Sequence, residues 1–139
     1  MSLSSISQGS SSLRGESGSY QVTVNTILAD DILEIFKASE AVVKIDIESL
    51  ECKALQESKR FFETVKVHAL FMEWIHIQKF LGRQDEDEQC LHNLVNHLRD
   101  VGLKPYAMDY QFDFNNKNKS LLSYNNMKQW PMDIVWIRN

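Results

Sequence analysis

Ala41 to Glu51 read AVVKIDIESLE. The first seven of these positions are a nearly continuous apolar and β-branched run, the pattern of a central strand covered on both faces. The run ends in two carboxylates, Asp46 and Glu48, at i and i+2. That spacing sets both on one side of an extended chain, just before a helix that Ser49 can cap. Leu50, Ala54 and Phe61, with Leu55 and Phe62 beside them, then follow at helical spacing to about Glu63. A second apolar run, Val67 to Trp74 within Val65 to Ile77, again ends in an acid, Glu73. Two acid-tipped buried strands joined by a helix predict a right-handed crossover and hence an α/β fold.

Before this unit, Met1 to Gly18 is dominated by Ser and Gly, and its isolated apolar residues follow no period. Such a stretch cannot bury enough surface to offset its chain entropy, so residues 1–18 are expected to be a flexible lead and 19–139 the folded part. Tyr20, Val22 and Val24 alternate with polar residues as in a half-buried strand, and Asp30 reads as the cap of a brief helix reaching about Lys37. After the crossover unit, Leu91, Leu94, Val95, Leu98 and Val101 recur at helical spacing, with Gly102 at the stop. Tyr106 to Tyr110 and Asp133 to Ile137 read as two further strands, separated by a long polar loop over Asn115 to Asn126. The resulting order predicts a mostly parallel sheet closed by an antiparallel C-terminal pair.

The 139 residues suffice for one domain, and 43% hydrophobic against 24% charged residues exclude wholesale disorder. A formal net charge of −4 lacks the positive excess that phosphate-backbone binding requires, so nucleic acid is not expected as a partner. No apolar run approaches the roughly 20 residues of a membrane span, and the first residues do not read as a secretory signal. The compartment stays open. Cys52 and Cys90, outside any metal or redox spacing, are expected as buried reduced thiols.

In open parallel sheets ligands collect at the carboxyl ends of the strands. That rule selects Asp46, Glu48 and Glu73 as candidate catalytic groups, with Trp74 beside Glu73 and His76 near enough to join it on the substrate side; the simpler reading of His76 is a structural residue and of Trp74 a core or pocket wall. If the two strands are neighbours, Asp46 and Glu73 face one cleft and could hold a divalent cation, orient hydroxyls or act as a base. Oxygen-only ligands favour magnesium or calcium. The simpler alternative is that Asp46 and Glu48 only complement the positive end of the following helix. His92 and His97 are five apart, off the i, i+4 spacing of a zinc pair, and read as helix-surface residues. The chain has neither a phosphate-cradling glycine loop nor a nucleophile elbow.

Thr26 to Leu33 (TILADDIL), Val43 to Glu51 (VKIDIESLE), Phe71 to Trp74 (FMEW), Gly102 with Leu103, and Asp133 to Ile137 (DIVWI) together resemble the C-terminal half of FkbM-type methyltransferases. That family's pattern is a T-L-D-D-L segment, a K-I-D-x-E-G-x-E strand end, an acidic strand end after the next helix, and a closing D-I-x-W strand. The Met-Glu-Trp variant is similar to animal members. The resemblance implies a Rossmann-like fold, part of a methyltransferase sheet without its N-terminal strands. It further implies S-adenosylmethionine as cofactor and O-methylation of a small-molecule or glycan hydroxyl.

Carried onto this chain, Asp46 and Glu48 match the family's acidic strand end, Glu73 matches the acid after the following strand, and Glu51 matches an acid on the next helix turn, on the substrate side. Ser49 stands where the family has Gly. The family's N-terminal half, with its glycine turn and ribose-binding acid, has no counterpart here, so activity is conditional and one edge of the Val42 to Asp46 strand is left open. A non-catalytic remnant that pairs with another chain, or with its own copy, through that edge is the alternative. The resemblance leaves open a membrane anchor in full-length family members, while these residues contain no membrane segment.

Overall fold

A computed structural model of the chain describes residues 9–12, 23–109 and 112–138. Gly9–Ser12 (β1) pairs antiparallel with Thr23–Thr26 (β2) in a ribbon of its own. A 3-10 turn over Ala29–Asp31 leads into the short helix Ile32–Ile35 (α1). Strand Glu40–Ile45 (β3) is followed by helices Glu51–Leu55 (α2) and Lys59–Thr64 (α3), and then by strand Lys66–Glu73 (β4). Helix Glu86–Asp100 (α4) and strands Leu103–Ala107 (β5) and Asp133–Arg138 (β6) complete the chain. The expected alternation of strands and helices is present. Within the lead, β1 is an added strand; Tyr20, Val22 and the rest of the lead lie outside the described residues.

The main sheet has four strands in the order β3-β4-β6-β5. Only β3 and β4 are parallel; β6 runs antiparallel to both of its neighbours, so the sheet is mixed rather than mostly parallel. The reason lies in residues 108–132. This long connection, with 3-10 segments over Phe114–Ser120 and Tyr124–Gln129, carries β6 back between β4 and β5. Ile134 to Ile137 are apolar on both sides of the strand and all buried, so the inner position removes more apolar surface from water than an edge would.

The expectation of a central strand at Ala41 to Ile47 is corrected in the same way. β3 lies at the edge of the sheet, where Ala41, Val43 and Ile45 pack on the core while Val42 is 65% exposed. A nearly continuous apolar run suits a strand covered on both faces, but here β4 and β6 hold the inner places and the Val42 side of β3 is left uncovered.

On one face of the sheet Val67, Leu70, Met72, Ile134 and Trp136 join the main core with Leu91, Leu94 and Leu98 of α4. The other face carries a smaller cluster of Ala69, Tyr106, Val135 and Ile137, with Phe71 and Phe112 against it. The helix α4 forms where its period predicts. Asp85 accepts the Glu88 N–H at 3.1 Å as its cap, and Gly102 ends it at a φ of +85°. Full burial of leucine-sized side chains contributes about 1.5–3 kcal/mol each, so Leu91 and Leu98 anchor this helix.

Two expected caps act elsewhere. Asp30 caps no helix of its own; its carboxylate accepts the N–H groups of Arg60 at 3.2 Å and Phe61 at 2.7 Å, at the start of α3. Ser49 leaves α2 uncapped, because its hydroxyl donates to the His76 carbonyl at 3.2 Å instead. The helix expected from Ser49 to about Glu63 is broken at residues 56–58, where the Ser58 hydroxyl donates to the Leu55 carbonyl. Cys52 and Cys90 are joined as a disulfide, with Cα atoms 5.9 Å apart, rather than standing as reduced thiols. Their 38-residue separation carries no motif; the pairing exists because α2 packs on α4.

Candidate functional site

β3 and β4 run parallel with Ile45 opposite Met72, so Asp46 and Glu73 lie one step further along, side by side at the strands' carboxyl ends. Antiparallel β6 begins at this same end, with Asp133 paired to Glu73. Three adjacent strand ends therefore present a row of carboxylates, Asp46, Glu73 and Asp133. A cleft of about 580 Å³ opens over the row, with Asp109 and Lys44 also on its rim and Phe71, Met72, Met108 and Ile134 among its apolar walls. Among the described lining residues, four acids and one ammonium share this cleft. Lys44 donates to Asp46 at 2.9 Å, and this bond, with further attraction from Asp133 and Glu73, raises the ammonium above its ordinary pKa. Lys44 is thus held charged beside the acids.

The remaining expected residues separate. Glu48 does not line the cleft with Asp46, because the chain leaves strand geometry after Ile45 and the i, i+2 rule no longer holds. Glu48 and Ser49 both adopt left-handed backbone, at φ +54° and +83°, and the turn sends the Glu48 carboxylate toward His76. His76 Nε2 stands 3.3 Å from Glu48 Oε2 and 3.4 Å from Glu73 Oε1. Glu48, Glu73 and His76 form the one group of three possible metal ligands among the described residues; Asp46, expected to share a cation with Glu73, is not part of it. Asp46 already faces Lys44.

Glu51 and Trp74 are both fully buried and neither lines the cleft. Glu51 accepts the Ile47 N–H at 3.1 Å, a bond from the first turn of α2 back to the strand end that shapes the turn carrying Glu48. Trp74 donates to the Met127 carbonyl at 2.9 Å and packs on Trp130 with ring centroids 4.6 Å apart. Its indole belongs to the core, where a polar N–H needs such a partner.

Asp133 and Asp109 are site residues that strand-by-strand reasoning missed. Asp133 was legible only as the start of a strand, but an antiparallel neighbour of β4 must begin where β4 ends. Such an acid-lined, apolar-walled cleft can accept hydrogen bonds from several hydroxyls while its walls cover the carbon skeleton of a ligand. No helix of the described residues is long and apolar enough to cross a membrane. Comparison with protein-family models, with curated proteins and with solved structures finds no match to this chain.

Proposed function

We propose that the cleft is the acceptor side of an FkbM-like, S-adenosylmethionine-dependent O-methyltransferase domain, Rossmann-like in descent, and that it takes a hydroxyl-bearing small molecule or glycan. The observation that carries this is the row of Asp46, Glu73 and Asp133 at the strand ends over one apolar-walled cleft. Carboxylates accept strong hydrogen bonds from hydroxyls, and two or three in a row fix the orientation of a polyol. Further support comes from Ser49, whose φ of +83° is the backbone that favours glycine, the residue in the family pattern at that place.

The described residues do not fit the cofactor itself. S-adenosylmethionine is expected to need close backbone approach at a glycine turn and a carboxylate for its ribose. Gly9, Gly82 and Gly102, the described glycines, all lie away from the cleft lining. The part of these residues in the chemistry is to bind and align the acceptor.

The test is saturation-transfer NMR of the full chain with a panel of monosaccharides and disaccharides, alongside calorimetric titration with S-adenosylmethionine. Saccharide contact is expected and should weaken in Asp46→Asn and Asp133→Asn, whereas the chain alone should not bind the cofactor. Absence of saccharide contact, or contact that both variants leave unchanged, removes the acceptor role. Micromolar binding of S-adenosylmethionine would show that the chain does hold the cofactor.

A second reading is favoured by the outer side of β3, which no described strand pairs. On that reading the chain is a non-catalytic module that associates with a copy of itself through this edge.

A further inference from the structure

We propose that Glu48, Glu73 and His76 form a binding site for one zinc-class transition-metal ion, beside the cleft and independent of methyl transfer. The three side chains come from two separated pieces of chain: the turn after β3, and the end of β4 with the turn that follows it. Each offers one ligand atom, and the three atoms lie within 4.8 Å of one another.

The distances fit a metal better than a proton. His76 Nε2 lies 3.3 Å from one carboxylate oxygen and 3.4 Å from the other. Both exceed the usual N–H···O range of about 2.7–3.2 Å, and a single Nε2–H can point at only one of two acceptors. Ligands about 2.1 Å from a tetrahedral zinc ion are separated by about 3.4 Å, the spacing that His76 keeps from both acids. Glu48, whose side chain is 77% exposed, is free to close the third side. Among the described residues neither Glu48 nor Glu73 forms an ion pair with a lysine or arginine, Lys44 attracting Glu73 only at longer range, whereas Asp46 is paired with Lys44 at 2.9 Å.

The surroundings hold the ligands in place. Glu73 is fixed by its pairing with Asp133, and the Trp74 and Ile75 N–H groups donate to the Met132 carbonyl at 2.6 and 3.2 Å. The Ser49 hydroxyl donates to the backbone carbonyl of His76, and Lys79 donates to that hydroxyl at 3.0 Å. Glu51, through Ile47, anchors the turn from which Glu48 projects. One imidazole among the ligands favours zinc, copper or nickel over magnesium, calcium and manganese, which prefer oxygen ligands. With the His76 side chain 40% exposed, water completes the coordination.

The experiment is calorimetric titration of the oxidised full chain, whose cysteines are then engaged with each other, using Zn2+ alone as the probe. One ion per chain is expected, with affinity reduced more than about 100-fold in His76→Ala and in Glu73→Gln, beyond the roughly 10–100-fold that loss of an outer-shell partner costs. His92→Ala, far from these ligands along the chain, should leave the affinity unchanged. Co2+ in place of Zn2+ should give visible absorption that is lost in His76→Ala, and excess Mg2+ should not displace either ion. Glu48→Gln, an exposed substitution, provides the readout if His76→Ala loses its far-ultraviolet circular dichroism. No saturable Zn2+ binding, binding that folded His76→Ala or Glu48→Gln retains in full, or equal displacement by Mg2+ overturns the proposal.

Discussion

His97, near the end of α4, packs edge-on against Phe62 with ring centroids 5.5 Å apart. Its Nε2 is buried and has no hydrogen-bond partner among the described residues. Burial lowers its pKa below the ordinary imidazole value, and Lys59 adds to this, while Glu63, Asp100 and Asp30 pull the other way. The unfolded chain therefore takes up the proton first as pH falls. Stability is fully present above about pH 6.5 and is lost as pH drops through the lowered folded-state value. Urea unfolding should show a lower midpoint at about pH 5.5 than at about pH 7.5, and His97→Leu should flatten that difference. An unchanged pH response in the variant would clear His97 of this role. His97 was legible as a helix residue, but its desolvation was not, since α3 brings Phe62 against it only in the folded chain.

At the level of elements, α3 is six residues long and too short to hold itself together in water. It is held from outside: Asp30 accepts two of its first N–H groups, and Arg60 donates to the Asp30 carbonyl and to Glu34, both at 3.0 Å. Removing a capping carboxylate costs about 1 kcal/mol, within a range of roughly 0.5–2. Asp30→Ala should lower stability by that amount in urea denaturation, and a loss under about 0.3 kcal/mol would mean that the bonds are not formed in solution. Asp30 is recognisable as a helix cap from sequence. Which helix it serves is not, because its partners lie about thirty residues away and meet it only through the packing of the turn at Ala29–Asp31 on α3.

For the molecule as a whole, β3 is the last described strand of the sheet on its side, with Glu40, Val42 and Lys44 exposed. An open edge with an exposed valine is a template for pairing with another strand, whereas an added charge discourages such pairing. If chains associate here, sedimentation should show a concentration-dependent dimer that Val42→Lys dissociates while the monomer keeps its fold. A wild-type chain that stays monomeric, or a dimer that Val42→Lys leaves intact, would exclude this edge as the contact. The mixed sheet also explains why the site gains Asp133: one inserted antiparallel strand brings its first residue to the end where two parallel strands finish.

Local periodicity by itself determined the alternation of strands and helices, the two acid-tipped strands and the apolar stripe and stop of α4, because these depend on neighbours within one or two turns of chain; it did not place the start of α4, at Glu86 within the stretch read as an acidic loop. Tertiary structure alone decided that β6 takes an inner place and β3 an edge, since the choice compares apolar surface buried across the whole sheet. It likewise decided that Cys52 meets Cys90, that Asp46 and Glu73 share a cleft with Asp133, and that Glu48 turns to His76. Those pairings join residues far apart along the chain, and no local pattern carries the free energy that brings them together.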